Sequence, residues 1–178
     1  GGAELAEFCE QRGIAFDRCG KVIVATHPGE LGRLDELERR AHANGVAGLR
    51  RLDADGIRAL EPHATGIAGL HSPVTAIADF GAVARAYAGD VGAVHCGCEV
   101  QAVQPRGRTI VLRHATGHLE AGHAVFCAGA WSDRLAVAAG ADPDPRIVPF
   151  RGAYLRLVAA RRSLVRSLIY PVPDPSLP

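Results

Sequence analysis

Between residues 98 and 140 the hydrophobic period of the chain changes once, and that change restricts the fold more than any other feature. Three short runs, 98 to 104, 109 to 115 and 118 to 121, alternate as strands do, and "QPRGR" and "ATGH" mark the turns between them. The next segment, "HAVFCAGAWSDRLAVAAG" at 123 to 140, reads as a buried run from Ala124 to Ala128 that stops at Gly129 and turns directly into an amphipathic helix. Ser132 is the expected N-cap of that helix and Asp133 falls in its first turn. A β-meander followed by strand, glycine and helix is incompatible with an all-helical chain or a single β-sandwich, and calls for helices and sheet together.

The flanking segments extend the pattern. "AELAEFCEQRG" places Leu5, Phe8 and Cys9 at helical spacing and ends on the cap signal Gly13. "KVIVAT" at 21 to 26 is a strand feeding the helix "GELGRLDELERRAHANG", where Leu31, Leu34 and Leu37 mark one face and Gly45 the end. "LDADGIRALEP" predicts a short helix with Asp53 as N-cap and Pro62 as stop, "GIAGLHSP" a strand into a turn, and "FGAVARAYAG" at 80 to 89 a further helix. Downstream, "RIVPFRGAYLRLV" and "SLVRSLIYPV" have strand character. Alternation in the first puts Phe150, Gly152, Tyr154 and Arg156 on one face and Arg151, Ala153, Leu155 and Leu157 on the other. The expected plan is α+β, a mixed α/β chain passing back and forth between two sheets.

Composition narrows the partner. At 178 residues and 48% hydrophobic, the chain can bury a core of ordinary size. A formal net charge of +1, with acidic and basic residues scattered, leaves no basic stripe for nucleic acid and no polybasic tail. No apolar stretch approaches the roughly 18 residues that span a bilayer, so the expected partner is a small molecule. The five cysteines at 9, 19, 96, 98 and 127 are odd in number and dispersed, which fits reduced, small, buried apolar residues in a cytoplasm. Cys96 and Cys98 are not a zinc pair by spacing, and no second pair exists. His114, His118 and His123 lie among strand signals and glycines that deny them a common helix face, so no metal site is expected. The chain has no Met, opens on Gly1 and Gly2 and ends on "SLIYPVPDPSLP", and it reads as an interior piece of a longer protein.

The turn at Gly129 has two readings. A glycine at the carboxyl end of a strand admits close approach by another molecule, and the free amides of the next helix favour anionic oxygens, which suits a nucleotide. The residues alone favour the other reading, an ordinary tight strand-to-helix connection, since the chain holds no G-x-G-x-x-G.

"HSPVTAIADF" at 71 to 80, "FCAGAWSDRLA" at 126 to 136, "PFRGAYLRL" at 149 to 157 and "LIYPVPDPSLP" at 168 to 178 resemble the L-2-hydroxyglutarate oxidase/dehydrogenase group. That group lies within the FAD-dependent, D-amino-acid-oxidase-like (DAO) oxidoreductases. "KVIVAT" and "LDADGIRALEP" share the likeness, which runs along nearly the whole chain. It implies a partial FAD-binding, Rossmann-like domain with the meander (1–13 and 76–144), interleaved with a substrate-binding domain on an antiparallel or mixed sheet (14–75 and 145–178).

The resemblance implies that Val100 presents its backbone to the adenine and that Ala128, Gly129 and Trp131 form a cofactor-side loop. It puts Arg151, Tyr154 and Tyr170 in strands facing the substrate cavity and His71 at a strand end near it, with Arg151 best suited to grip a carboxylate in two-pronged fashion. No catalytic base is identified; the histidine of the family pattern would precede residue 1. The implied reaction is FAD-dependent oxidation of L-2-hydroxyglutarate to 2-oxoglutarate, with a quinone or oxygen as electron acceptor. Alternatives are a relative acting on glycerol 3-phosphate or an amino acid, or a non-catalytic binding module. A cytoplasmic location, with a peripheral place on the inner membrane face as a variant, and association through exposed sheet edges complete the expectations.

Overall fold

A computed structural model describes residues 2–174. In chain order the elements are α1 (Gly2–Arg12), β1 (Phe16–Asp17), β2 (Lys21–Ala25), α2 (Leu31–Ala43), β3 (Arg50–Asp53), α3 (Ala54–Leu60), β4 (Ala68–Ser72), β5 (Ile77–Ala78), α4 (Phe80–Val91), β6 (Val100–Arg106), β7 (Thr109–His114), β8 (Gly117–Ala121), α5 (Ser132–Ala138) and β9 (Leu168–Pro171). Short 3-10 turns lie at Pro28–Glu30, Gly129–Trp131 and Ala159–Leu164. The chain is mixed α/β and forms two compact units: unit 1 is Gly1–Asp90 with Tyr154–Pro178, and unit 2 is Val91–Ala153.

Unit 1 is organised by β2. Its neighbours are β4, antiparallel, and β9, parallel, and β3 lies beyond β4, giving the order β3-β4-β2-β9. Because side chains alternate across a strand, Ile23 and Ala25 face one side with Leu70, where Leu31, Leu34 and Leu37 of α2 and Val172 close a core cluster. Val22 and Val24 face the other side, where Ile57 of α3 meets them with Leu52, Leu60 and Ala64. Asp53 caps α3 by accepting the Gly56 N–H at 2.8 Å, and α3 stops before Pro62. The leucine spacing and both helix boundaries agree with the sequence reading.

A second part of unit 1 pairs α1 with α4. Phe8 and Tyr87 stack with ring centroids 4.5 Å apart, and Arg12 grips Asp90 through two hydrogen bonds of 2.9 and 2.7 Å. After α1, Gly13 takes φ of 63°, the left-handed turn that glycine adopts without a Cβ clash. The chain then enters β1, which pairs with β5. Unit 2 holds the meander β6-β7-β8, antiparallel throughout, with Val103 and Val111 buried.

Two expected strands are absent. Residues 124–128 form no strand, and Val125 is 87% exposed rather than buried. Residues 147–157 are irregular, and Phe150, Tyr154 and Leu155 are exposed, so Arg151 and Tyr154 do not stand in strands. Alternating apolar residues make a strand only when a neighbour supplies donors and acceptors. Among the described residues none runs beside either segment. Ser132 is the first residue of α5 rather than its cap: Trp131 holds the N-cap position and no side chain caps there. Of the cysteines only Cys9 is buried, while Cys96 and Cys127 are exposed. Residues 175–178, the end of the "LIYPVPDPSLP" segment, lie outside the described residues.

Leu34 is fully buried between α2 and the sheet. Leu34→Ala is expected to cost about 2–5 kcal/mol of stability, the usual range for a buried leucine truncation. Urea unfolding checks this; an unchanged midpoint would show that α2 is not anchored on β2 through this residue.

Candidate functional site

Unit 2 contains a cleft of about 670 Å³ between the start of β6 and α5, within the roughly 300–1,000 Å³ range of small-molecule sites. Val100, Ala128, Trp131, Leu135 and Ala138 give it apolar walls, while Glu99, Gln101 and Arg134 bring polar groups. Val100 pairs with His114 and the next pair is Ala102 with Arg113, so Gln101 is an extra residue in β6. A bulge of this kind re-aims a side chain. In a regular strand Val100 and Gln101 would face opposite sides; here both line the cleft.

The opposite wall is set by the turn into α5. Gly129 adopts φ of 55°, and the Trp131 N–H donates to the Ala128 carbonyl at 3.1 Å. This tight turn delivers Trp131, 59% exposed, to the cleft mouth. Asp133 fixes the start of α5: its carboxylate accepts the Ile147 N–H at 3.1 Å and the Arg134 N–H at 2.8 Å. The hydrogen bond from Ile147, followed by that from Arg134, holds the carboxyl below the usual carboxylate range. The loop before 147 is thereby tied to the helix that carries Arg134.

Of the cofactor-side residues marked in the sequence, the structure brings Val100, Ala128 and Trp131 to one cleft, with Gly129 forming its turn. Glu99, Gln101, Arg134, Leu135 and Ala138 were not marked. The bulge that recruits Gln101 has no signal in the sequence, whereas the helical spacing of Arg134, Leu135 and Ala138 after Trp131 could have marked one face.

The substrate-side residues are not gathered in this way. Arg151, in unit 2, is exposed on irregular backbone, and Tyr154, in unit 1, is 96% exposed. Tyr170 stands on β9, half exposed, with the Lys21 ammonium 5.8 Å from its ring centroid. His71 is buried in β4 opposite Arg50 of β3, and the guanidinium donates to its Nδ1 at 3.1 Å. Burial, with the nearby Arg50 charge, lowers the His71 pKa and favours the neutral ring. Among the described residues no group of three or more His, Cys, Asp or Glu is placed to hold a metal ion, and no helix is long and apolar enough to cross a membrane.

A sequence profile of the family described as FAD dependent oxidoreductase (DAO) matches residues 1–178. The chain is 38% identical over its whole length to L-2-hydroxyglutarate dehydrogenase, mitochondrial, of Bos taurus, covering 42% of that protein. It is 36% identical over 96% of its length to L-2-hydroxyglutarate dehydrogenase of Escherichia coli (strain K12), again covering 42%. The chain thus spans less than half the length of these relatives. Among solved structures, L-proline dehydrogenase from P. horikoshii matches 96% of this chain and 48% of that one, with a TM-score of 0.73 and 17% identity. Glycine oxidase from Geobacillus kaustophilus matches 78% of this chain and 39% of that one, with a TM-score of 0.63 and 24% identity. At these identities the structural likeness speaks for the fold alone.

The depressed Asp133 pKa gives a pH dependence with a definite sign. Its contribution to stability is complete above the unfolded carboxylate value and is lost as pH falls through the lower folded value. Thermal unfolding of the wild type and Asp133→Ala should therefore differ most near neutrality and converge as pH falls below the carboxylate range. A difference independent of pH would show that the carboxylate's charge does not hold the 147 loop to α5.

Proposed function

The chain belongs to the DAO family of FAD-dependent oxidoreductases, and from that premise we propose that the protein oxidises L-2-hydroxyglutarate to 2-oxoglutarate. One observation carries the substrate: relatives from animals and bacteria that match at 36–38% identity over 96–100% of the chain all bear the name L-2-hydroxyglutarate dehydrogenase. L-proline dehydrogenase and the two glycine oxidases among the solved structures are 17–24% identical and speak for the fold, not for a second substrate.

The residues present fit one end of the cofactor. The unit 2 cleft offers a flat indole, small apolar walls and polar edges, which suit a purine ring. In this reading Val100 meets the adenine through its backbone, and Ala128, Gly129 and Trp131 shape the cofactor-side loop. The sequence has no glycine-rich pyrophosphate turn, so these residues supply secondary contacts. When bound, FAD accepts hydride equivalents from the substrate C2.

The rest of the proposal concerns the substrate. Two carboxylates must be held, and the Arg151 guanidinium is assigned to one of them because a planar fork matches a carboxylate with two parallel hydrogen bonds. Tyr154, Tyr170 and His71, all of unit 1, are each assigned to substrate contact in their own right. Residues 1–13 and 76–144 form the cofactor part and residues 14–75 and 145–178 the substrate part; a quinone or oxygen takes the electrons. A cytoplasmic location rests on the odd number and the dispersal of the five cysteines, whereas the animal relatives are named mitochondrial.

The test uses protein expressed from the full reading frame and loaded with FAD. L-2-hydroxyglutarate, its D enantiomer, glycerol 3-phosphate and L-proline are compared with an artificial electron acceptor. L-2-hydroxyglutarate should exceed the others in kcat/KM by at least about 100-fold, a ratio that matched polar contacts can supply; a higher value for another compound would overturn the reading. Trp131→Ala should weaken FAD retention by roughly tenfold through the lost stacking surface. Arg151→Lys should raise KM for L-2-hydroxyglutarate by about tenfold, and wild-type kinetics would remove Arg151 from the site.

A further inference from the structure

Glu61 is a buried acid that the proposed chemistry does not use. It is 1% exposed and sits at the C-cap of α3, its N–H donating to the Ile57 carbonyl at 2.8 Å. No Lys, Arg or His pairs with it among the described residues. A buried carboxylate without a cation is costly unless hydrogen bonds replace its water. Here every donor comes from the two residues just before β9. Ser167 gives its N–H at 2.5 Å and its hydroxyl at 2.6 Å, and the Arg166 N–H lies 3.1 Å from both oxygens.

What these bonds decide is register. β9 has one described neighbour, β2, which it meets through Leu168 N–H to the Gly20 carbonyl at 3.1 Å and Val172 N–H to the Val24 carbonyl at 3.2 Å. Val172, buried against Ala25, Leu34 and Leu70, anchors the far end of this segment; at its start Leu168 and Ile169 are both apolar and say little about phase, and a slip by one residue would move every side chain to the other face. In the observed register Ile169 pairs with Val22, while Tyr170 pairs with Ile23 and lies under Lys21. We propose that Glu61 is a positioning residue, whose carboxylate sets the register of β9 on β2 and so decides on which face of the sheet Tyr170 stands. The kinetic consequence rests on the reading above, in which Tyr170 contacts the substrate.

Hydrogen exchange of the FAD-loaded protein from the full reading frame tests this, with Glu61→Gln and Ser167→Ala beside the wild type. The Gln amide keeps one acceptor but turns an NH2 toward the Arg166 N–H. Exchange at 166–172 should quicken by about tenfold or more in Glu61→Gln, and less in Ser167→Ala, while peptides of β3, β4 and unit 2 keep their protection. KM for L-2-hydroxyglutarate should rise by about tenfold with kcat within about twofold, the mark of a displaced binding group. Unchanged protection at 166–172, or an equal loss across all of unit 1, overturns the proposal. If the wild type does not oxidise L-2-hydroxyglutarate, or if Tyr170→Phe leaves its KM unchanged, the substrate reading fails. The exchange pattern then judges the register role of Glu61 by itself.

Discussion

The pleat of β2 is the constraint on which unit 1 depends. Four of its five residues, Val22 to Ala25, carry apolar side chains on both faces, and each face has its own helix: α2 over Ile23 and Ala25, α3 over Val22 and Val24. Both strand edges are occupied, β4 on one side and β9 on the other. A strand buried on two faces cannot shift by one residue without driving each side chain into the wrong cluster. The positions of His71 on β4 and Tyr170 on β9 follow from this strand, because both are registered against it. β9 differs from β4 in that the side chains at its start say little about phase: Val172 anchors the far end in the α2 cluster, and the buried Glu61 holds the near end from α3.

Much of this plan could be read locally. Leu31, Leu34 and Leu37 marked the packed face of α2, Asp53 marked the start of α3, and Gly13 marked the end of α1, because spacing and capping are properties of adjacent residues. The meander was legible for the same reason, through its two turns. The unpaired segments at 124–128 and 147–157 misled because strand formation depends on a neighbour that the local sequence does not name. Val100, Ala128 and Trp131 were reached through resemblance rather than through chemistry visible in the residues. Gln101 was missed since a bulge is a relation between strands. Glu61 was missed since its donors lie 105 and 106 residues away.

The cleft and the sheet suggest a division of labour. A bulge and a tight turn at Gly129 deliver Val100, Gln101 and Trp131 to one side of unit 2, where the demand is a surface for a flat ring with polar edges. In unit 1 buried polar groups fix orientation instead: Glu61 holds the residues before β9, and Arg50 holds the His71 ring.

The central claim is that this fold serves flavin-dependent oxidation of one enantiomer of a hydroxy acid. Anaerobic titration of the FAD-loaded protein, expressed from its full reading frame, tests it without any electron acceptor. The account predicts that the visible flavin band bleaches stoichiometrically with L-2-hydroxyglutarate and persists with the D enantiomer. A flavin that stays oxidised with L-2-hydroxyglutarate, yet bleaches with glycerol 3-phosphate or an amino acid, would contradict it.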